Sequence, residues 1–103
     1  MALYFTELSI TSDTTPECAS RTISRGRVAW RLSWLPDRLL TLEQARAGME
    51  LDELLSEPGS AHDGVALALA DDCAGRLGML REHVVILLAK RMAARLQCAV
   101  STR

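Results

Sequence analysis

A chain of 103 residues with a formal net charge of −1 and 49% apolar residues predicts a single small domain, which hides about two thirds of the surface that its unfolded chain exposes. The near-zero charge excludes a general attraction to nucleic acid or to anionic membranes, although a local asymmetry of charge could still provide one. Because aromatic residues make up only 4% of the chain, the core must be built mainly from aliphatic side chains.

The cysteine pattern and the first residues of the chain indicate in which cellular compartment we expect the protein. Cys18, Cys73 and Cys98 are odd in number and form no CxxC pair, so they predict neither a disulfide framework nor a zinc site. The start MALYFTELSI lacks the features of a secretory signal. The longest apolar run, residues 84–89, is far below the ~20 residues that cross a bilayer. We therefore expect a soluble cytoplasmic protein without membrane attachment.

Two strands are predicted in the first third of the chain. The first covers about 3–10 (LYFTELSI), which is rich in β-formers, and the polar segment 11–20 reads as an exposed loop. The second covers about 25–35, where apolar residues alternate with polar or small ones as far as Pro36. The apolar positions of that strand are Val28, Trp30, Leu32 and Trp34. An antiparallel pair is the default for two strands without a crossover helix.

Three helices follow in the prediction. Thr41 and Gln44 form a capping box that starts a helix over 42–56, and Ser60 with Asp63 offers an N-cap for a helix over 61–77. The last helix covers 79–99 and has the clearest periodicity, with Leu80, Val84, Leu88, Met92 and Leu96 at every fourth position. The expected fold is therefore α+β, a two-stranded sheet followed by two to three helices (ββααα) in one domain, 1–103.

In the stretch RVAWRLSWLPDRLLTLEQARAGMELDELL, the sequence resembles a group of small proteins encoded by actinobacteria and their phages. The pattern that they share is W-x-[VL]-S-W-L-P-[GD]-R, then L-T-x-x-Q-A and an A-M-type helix, with A-x-x-L-G-[LM] matching residues 74–79. Asp37 replaces the usual glycine, and Gly48-Met49 stands where Ala-Met is more common. The resemblance implies a strand–turn–helix unit with Trp34, Pro36 and Arg38 at its corner, and it implies no activity.

Catalytic and metal sites are weakly supported by the sequence. Cys73, His83 and Asp72 supply the residue types of a nucleophile, a base and an orienting acid, but ten residues of straight helix would hold Cys73 and His83 about 15 Å apart. His62 with Asp63, and Asp71 with Asp72, are adjacent pairs that point apart on a helix. No glycine-rich phosphate-binding motif is present. We expect no enzyme activity and no cofactor.

Nucleic-acid binding is the alternative hypothesis, and it has two independent sources. Residues 70–89 resemble a helix-turn-helix, with Gly78 where the chain must turn. The outward positions of its second helix are mostly apolar, whereas groove-reading surfaces need polar and basic side chains. Odd-numbered strand arginines, Arg21 among them, would line one face opposite the tryptophans. The candidate contacts are Arg25, Arg27, Arg31, Arg81, Lys90, Arg91 and Arg95.

Protein binding is the preferred hypothesis. The middle of the last predicted helix is apolar all round, and such a helix must be buried on every side. A two-stranded sheet and two shorter helices can hardly enclose it, so a second subunit related by a two-fold axis would cover the rest. The alternative is a central helix enclosed by its own chain. The candidate interface residues are Val85, Ile86, Ala89 and Met92.

Overall fold

The computed structural model describes residues 3–56 and 63–101, without the side chains of residues 98–101. Within those ranges, a five-stranded antiparallel sheet precedes three helices. The elements are β1 (Leu3–Phe5), β2 (Ser9–Ser12), β3 (Cys18–Ser24), β4 (Arg27–Leu32), β5 (Leu35–Leu40), α1 (Leu42–Ser56), α2 (Gly64–Arg76) and α3 (Arg81–Ser101). The α+β class is confirmed, and the prediction of a two-stranded sheet is wrong.

The sheet is a meander in which each strand pairs with the next one along the chain. Ile10, Ala19 and Leu32 lie opposite one another across β2, β3 and β4, and all three are buried. Their neighbours in sequence point to the other side of the sheet, because side chains alternate along a strand. One face of the sheet is thus apolar and covered, while Ser20 and Arg31 of the other face are exposed.

The prediction of one strand over 3–10 and an exposed loop over 11–20 is wrong, because a tight turn at residues 6–8 divides the first segment. The Thr6 hydroxyl accepts hydrogen bonds from the backbone N–H groups of Leu8 and Ser9, which reverses the chain between β1 and β2. The small polar residues of the second segment then form β2 and the start of β3. The sequence does not reveal β2 and β3, because their apolar alternation is short and weak: only Ile10 and Ala19 of these strands are buried in the core.

The predicted strand 25–35 is in fact parts of two strands and their turns. Arg25 and Gly26 both have positive φ, 52° and 75°, as the type I′ turn of a two-residue β-hairpin requires. A second turn separates β4 from β5 at residues 33–34. Pro36 therefore does not end the strand: it lies within β5, an edge strand, where its missing N–H is tolerated. A register shift in the β4–β5 pairing accommodates it.

Helix α1 covers the apolar face of the sheet. The capping box is present, since Gln44 N–H donates to the Thr41 hydroxyl and Thr41 N–H donates to the Gln44 side-chain oxygen. The helix crosses β4, β2 and β3, and it occupies the predicted range, 42–56. Trp30 and Trp34 belong to the same core, as predicted, with Trp34 only 2% exposed.

Helices α2 and α3 form an αα-corner. The Asp63 carboxylate caps α2 by accepting from the N–H groups of Val65 and Ala66, whereas His62 and the predicted helix start at residue 61 lie outside the described residues. At the other end, Met79 N–H donates to Ala74 C=O and Gly78 N–H to Gly75 C=O, the Schellman pattern. Gly78 supplies the positive φ (69°) that this ending requires. Helix α3 begins two residues later than predicted.

The C-terminal end of α2 is also bound by the sheet. Arg38 in β5 donates a hydrogen bond from Nη1 to the Leu77 carbonyl at 2.8 Å, and a cation at a helix C-terminus is favourable. The resemblance implied a strand–turn–helix unit with Trp34, Pro36 and Arg38 at its corner. The chain instead forms a β-hairpin there, and its second strand, β5, precedes α1. No helix in the described part of the chain is long and apolar enough to cross a membrane.

Candidate functional site

Helix α3 contacts the rest of the molecule along one side of its first two turns. Val84 is buried, and Leu87 and Leu88 are partly buried against the core. Beyond Leu88, the apolar residues of α3 whose side chains are described are all exposed. The helix therefore lies on the surface of the molecule and is not enclosed by the rest of the chain.

We call the exposed apolar sector of α3 the α3 face. Because an α-helix turns by about 100° per residue, its members fall on one side of the helix, away from Val84. They are Val85, Ile86, Ala89, Met92, Ala93 and Leu96, all exposed. The four candidate interface residues from the sequence are thus brought together on one surface. Ile86, 53% exposed, lies towards one side of it.

Opposite charges flank Ile86 at equal spacing along the helix. Glu82 lies one turn before it and Lys90 one turn after it, each about 6 Å along the axis. The Glu82 side chain is 73% exposed and only 3.9 Å from the Arg81 guanidinium. Lys90 is exposed and has no ion pair in the part of the chain that the structure describes. Lys90 is therefore free to meet a partner, whereas Glu82 has the Arg81 guanidinium beside it.

A groove of about 230 Å³ runs between α1 and α3, next to the α3 face. Leu55 and Leu88 supply apolar walls, and Met92 borders both the groove and the α3 face. Asp52 and Arg95 supply the polar end. The apolar surface therefore continues from the helix into a concave site that a side chain could enter.

The polar attachment of α3 is a buried carboxylate. Glu17, in the β2–β3 connection, is 2% exposed, and its Oε1 accepts from Arg91 Nε at 2.8 Å and from the Ser33 hydroxyl at 2.6 Å. Its Oε2 accepts from Arg95 Nη1 at 2.5 Å. Burial alone would raise the pKa of Glu17, but these hydrogen bonds and the nearby cations hold it below its ordinary value. We call Glu17, Ser33, Arg91 and Arg95 the Glu17 cluster.

A second buried carboxylate borders the Glu17 cluster. Asp52 in α1 accepts hydrogen bonds from the hydroxyls of Thr15 and Ser56. Burial raises the pKa of Asp52 above its ordinary value, and the negative charge of Glu17 adds to that effect although the Thr15 hydrogen bond opposes it. The β2–β3 connection, α1 and α3 therefore meet in a polar region that the sequence did not predict. Glu17 lies in a polar loop without periodicity, and its arginine partners are more than 70 residues away along the chain, so no sequence pattern indicates it.

Most of the candidate nucleic-acid contacts of α3 are neutralised within the chain. Arg91 and Arg95 bind Glu17, and Arg81 donates to the Asp71 carboxylate at 3.2 Å. The helix-turn-helix-like segment does form two helices around Gly78, but a large part of the exposed surface of α3 is apolar. A groove-reading helix needs free basic and polar side chains there.

The strand arginines do not form a single strip. The hairpin at Arg25 and Gly26 reverses the parity of the following residues, so that Arg21 lies opposite Trp30 and shares its face. Arg27 and Arg31 pair with Ser24 and Ser20 on the outer face, and Arg25 lies at the hairpin tip. The predicted alignment of four arginines opposite the tryptophans is therefore wrong.

A second exposed apolar patch lies at the open end of the sheet, beyond the start of α1. It is a hollow of about 530 Å³ on the covered side of the sheet, bordered by Phe5, Val28 and Leu42 and by the Arg21 side chain. Ile23, which pairs with Val28, is 69% exposed there. The apolar alternation of the sequence does not reveal this patch, because it predicts a core position for every apolar residue of this parity.

The residues considered for catalysis and metal binding do not converge in the described ranges. Cys73 is buried, and its thiol donates to Glu50 Oε2 at 3.8 Å, while His83 is exposed on α3. Burial, and then the negative charge of Glu50, raise the pKa of the Cys73 thiol, the opposite of what activates a nucleophile. Neither Asp63, Asp71 nor Asp72 joins a group of three ligand-type side chains around a metal-sized space in residues 3–56 and 63–101.

Comparison of the chain with protein-family models, with curated proteins and with solved structures finds no match. The resemblance to small actinobacterial and phage proteins therefore stays a prediction. The α3 face and the Glu17 cluster have to be interpreted from their own chemistry.

Proposed function

We propose that the protein is a non-enzymatic interaction module that binds a second copy of itself through the α3 face. The observation that carries the proposal is the exposure of Ile86 and its apolar neighbours together on one side of a helix. Contiguous apolar patches on soluble proteins mark interaction sites. The free thiols of Cys18 and Cys73 support the further proposal that it acts in the reducing cytoplasm.

The charges beside the α3 face favour a second copy over an unrelated partner. In a two-fold antiparallel pairing centred on Ile86, Glu82 of one copy lies at the same height as Lys90 of the other, and the pair occurs twice. A surface that carries opposite charges at equal distances from its centre is complementary to itself, as an isologous interface requires. Ala89, within the overlap, is small enough for the two helices to approach closely.

The size of the α3 face sets the expected strength of the dimer. In a pairing centred on Ile86, the two α3 helices overlap over residues 81–91, which is only about 15 Å of helix, whereas a stable interface buries about 800 Å² per partner. The groove beside Leu88 adds surface, but the total stays at the small end of the range. We therefore expect a reversible dimer at micromolar concentrations.

Sedimentation velocity over about 1 µM to 1 mM tests the proposal, with Ile86→Glu as the variant. Burying an isoleucine is worth about 1.5–3 kcal/mol, and Ile86 is about half exposed in the single chain. The two copies together therefore lose about 1.5–3 kcal/mol, and the dissociation constant rises at least about tenfold. The buried glutamates add to that loss.

Ile23→Glu is the matched control, because Ile23 is also exposed but lies in the second apolar patch, on β3. We expect this variant to dimerise like the wild type. A wild type that stays monomeric at 1 mM would refute self-association. Dissociation by Ile23→Glu and not by Ile86→Glu would move the interface to the open end of the sheet and refute the α3 face.

A further inference from the structure

The Glu17 cluster joins α3 to the β2–β3 connection and to the β4–β5 turn. Glu17 accepts two charged hydrogen bonds from arginines four residues apart on α3, and a third bond from Ser33 in the β4–β5 turn. The Ser33 hydroxyl in turn accepts from Cys18 N–H at 2.8 Å. The carboxylate is therefore fixed by the sheet on one side and holds α3 on the other.

The second half of α3 depends on this cluster. Val84, Leu87 and Leu88 pack against the core in the first two turns, but residues 92–97 are all exposed. Arg91 and Arg95 keep about 40% of their side-chain surface exposed while both reach Glu17. The attachment of this half of the helix is thus mainly ionic, and its charges lie on the opposite side from the α3 face.

We infer that Glu17 is the residue that positions α3: without its charge, the second half of the helix detaches while the sheet, α1 and α2 stay folded. The inference rests on the proposed function only where it predicts an effect on the dimer. Detachment would remove the fixed orientation in which Ile86, Ala89 and Met92 meet a second copy, so the dimer would weaken although Glu17 itself lies outside the α3 face.

Glu17→Gln tests the inference, because the amide keeps an acceptor for Ser33 and removes the charge that holds two arginines. Hydrogen exchange read by mass spectrometry gives the protection of residues 89–97 in dilute protein. We expect exchange there to accelerate at least tenfold, with peptides from α1 and β4 unchanged. Trp30 and Trp34, the tryptophans of the chain, both lie in the core with the sheet and α1, so unchanged emission shows that the body is intact.

Glu53→Gln is the matched control. Glu53 is also a buried acid, but it accepts from Ser12 and Thr14, which belong to β2 and the loop that follows. Its replacement should leave α3 exchange at the wild-type rate. If it accelerates α3 exchange as much as Glu17→Gln does, loss of any buried acid has the same effect and the inference fails.

The double variant Arg91→Gln/Arg95→Gln decides the case if Glu17→Gln does not fold, because it removes the same two ion pairs by changing their half-exposed partners. It should accelerate exchange at 89–97 as much, and Arg91→Lys/Arg95→Lys should retain part of the protection. Wild-type protection in the glutamine double variant would overturn the inference. Since exchange is read on the monomer, a wild type that never dimerises refutes the proposed function and leaves this test valid.

Discussion

Reversing the charges beside Ile86 tests the antiparallel pairing directly. In Glu82→Lys, both Glu82–Lys90 contacts of the proposed dimer become lysine–lysine contacts, and in Lys90→Glu both become glutamate–glutamate contacts. The double variant exchanges the two charges and restores both attractions. Both side chains are exposed in the single chain, so the fold of the monomer should tolerate all three variants.

The size of the effect follows from the exposure of the two charges. An exposed ion pair is worth about 0.2–1 kcal/mol, and like charges repel by a similar amount. One reversal changes two contacts from attraction to repulsion, which costs about 0.8–4 kcal/mol. At 1.4 kcal/mol per tenfold change, each single variant should weaken the dimer by roughly fourfold to several hundredfold, and the double variant should return to near the wild-type value.

The assay is sedimentation equilibrium of the four proteins at low and at high salt. Because the screening length falls from about 10 Å at 0.1 M to about 3 Å at 1 M, the differences among the four should shrink at high salt. A double variant as weak as the singles would refute the register about Ile86. If Ile86→Glu still dissociates the dimer in that case, the α3 face remains the interface with another alignment of the helices.

Two further predictions concern buried titratable groups. Burial raises the pKa of Asp52 in the folded state, so its contribution to stability is fully present below the unfolded pKa and is lost as the pH rises through the folded pKa. Asp52→Asn should therefore gain stability relative to the wild type between about pH 4 and pH 7 in urea unfolding; a difference that does not grow with pH would contradict this. Burial likewise raises the pKa of the Cys73 thiol, so peptide mapping after iodoacetamide treatment at pH 8 should show Cys73 alkylated more slowly than the half-buried Cys18, and equal rates would contradict it.

The helices could be predicted from the sequence because their signals are local. Thr41 and Gln44 are three residues apart, and the cap that they form is present in the structure. Gly78 is likewise found at the turn where the helix-turn-helix-like segment places it. Such signals depend on neighbouring residues and on the 3.6-residue period alone, so tertiary contacts did not alter them.

The sheet could not be predicted because its strands are short and its turns are chemically inconspicuous. Residues 33–34 form a turn although they continue the alternation of β4, and one of them, Trp34, is a core residue. The strands β2 and β3 together have only two buried side chains, Ile10 and Ala19. Apolar alternation indicates which residues face the core, but it does not show where an antiparallel chain reverses.

The candidate site was predicted in part. The sequence indicated that the last helix has more apolar surface than the chain can cover, and Val85, Ile86, Ala89 and Met92 are indeed exposed together. It did not indicate that Arg91 and Arg95 face inward. A helical pattern assigns charged residues to the solvent side, and only the position of Glu17 in the fold reverses that assignment for these two.

Beyond Leu88, helix α3 differs from an ordinary surface helix, because Arg91 and Arg95 attach it to the body while its apolar side chains are exposed. Two of its arginines bind a carboxylate that is 2% exposed, whereas its isoleucine, a valine and a methionine contact water. An ion pair attachment gains little from burial, since desolvation of Glu17 offsets much of the attraction, but it fixes orientation through three directed hydrogen bonds. Turning Ile86 towards the core would move Val84 out of it. It would also separate Arg91 and Arg95 from Glu17 and leave the Glu17 charge buried and unpaired. The ionic attachment and the exposed α3 face are thus two consequences of one arrangement, which keeps the apolar surface exposed.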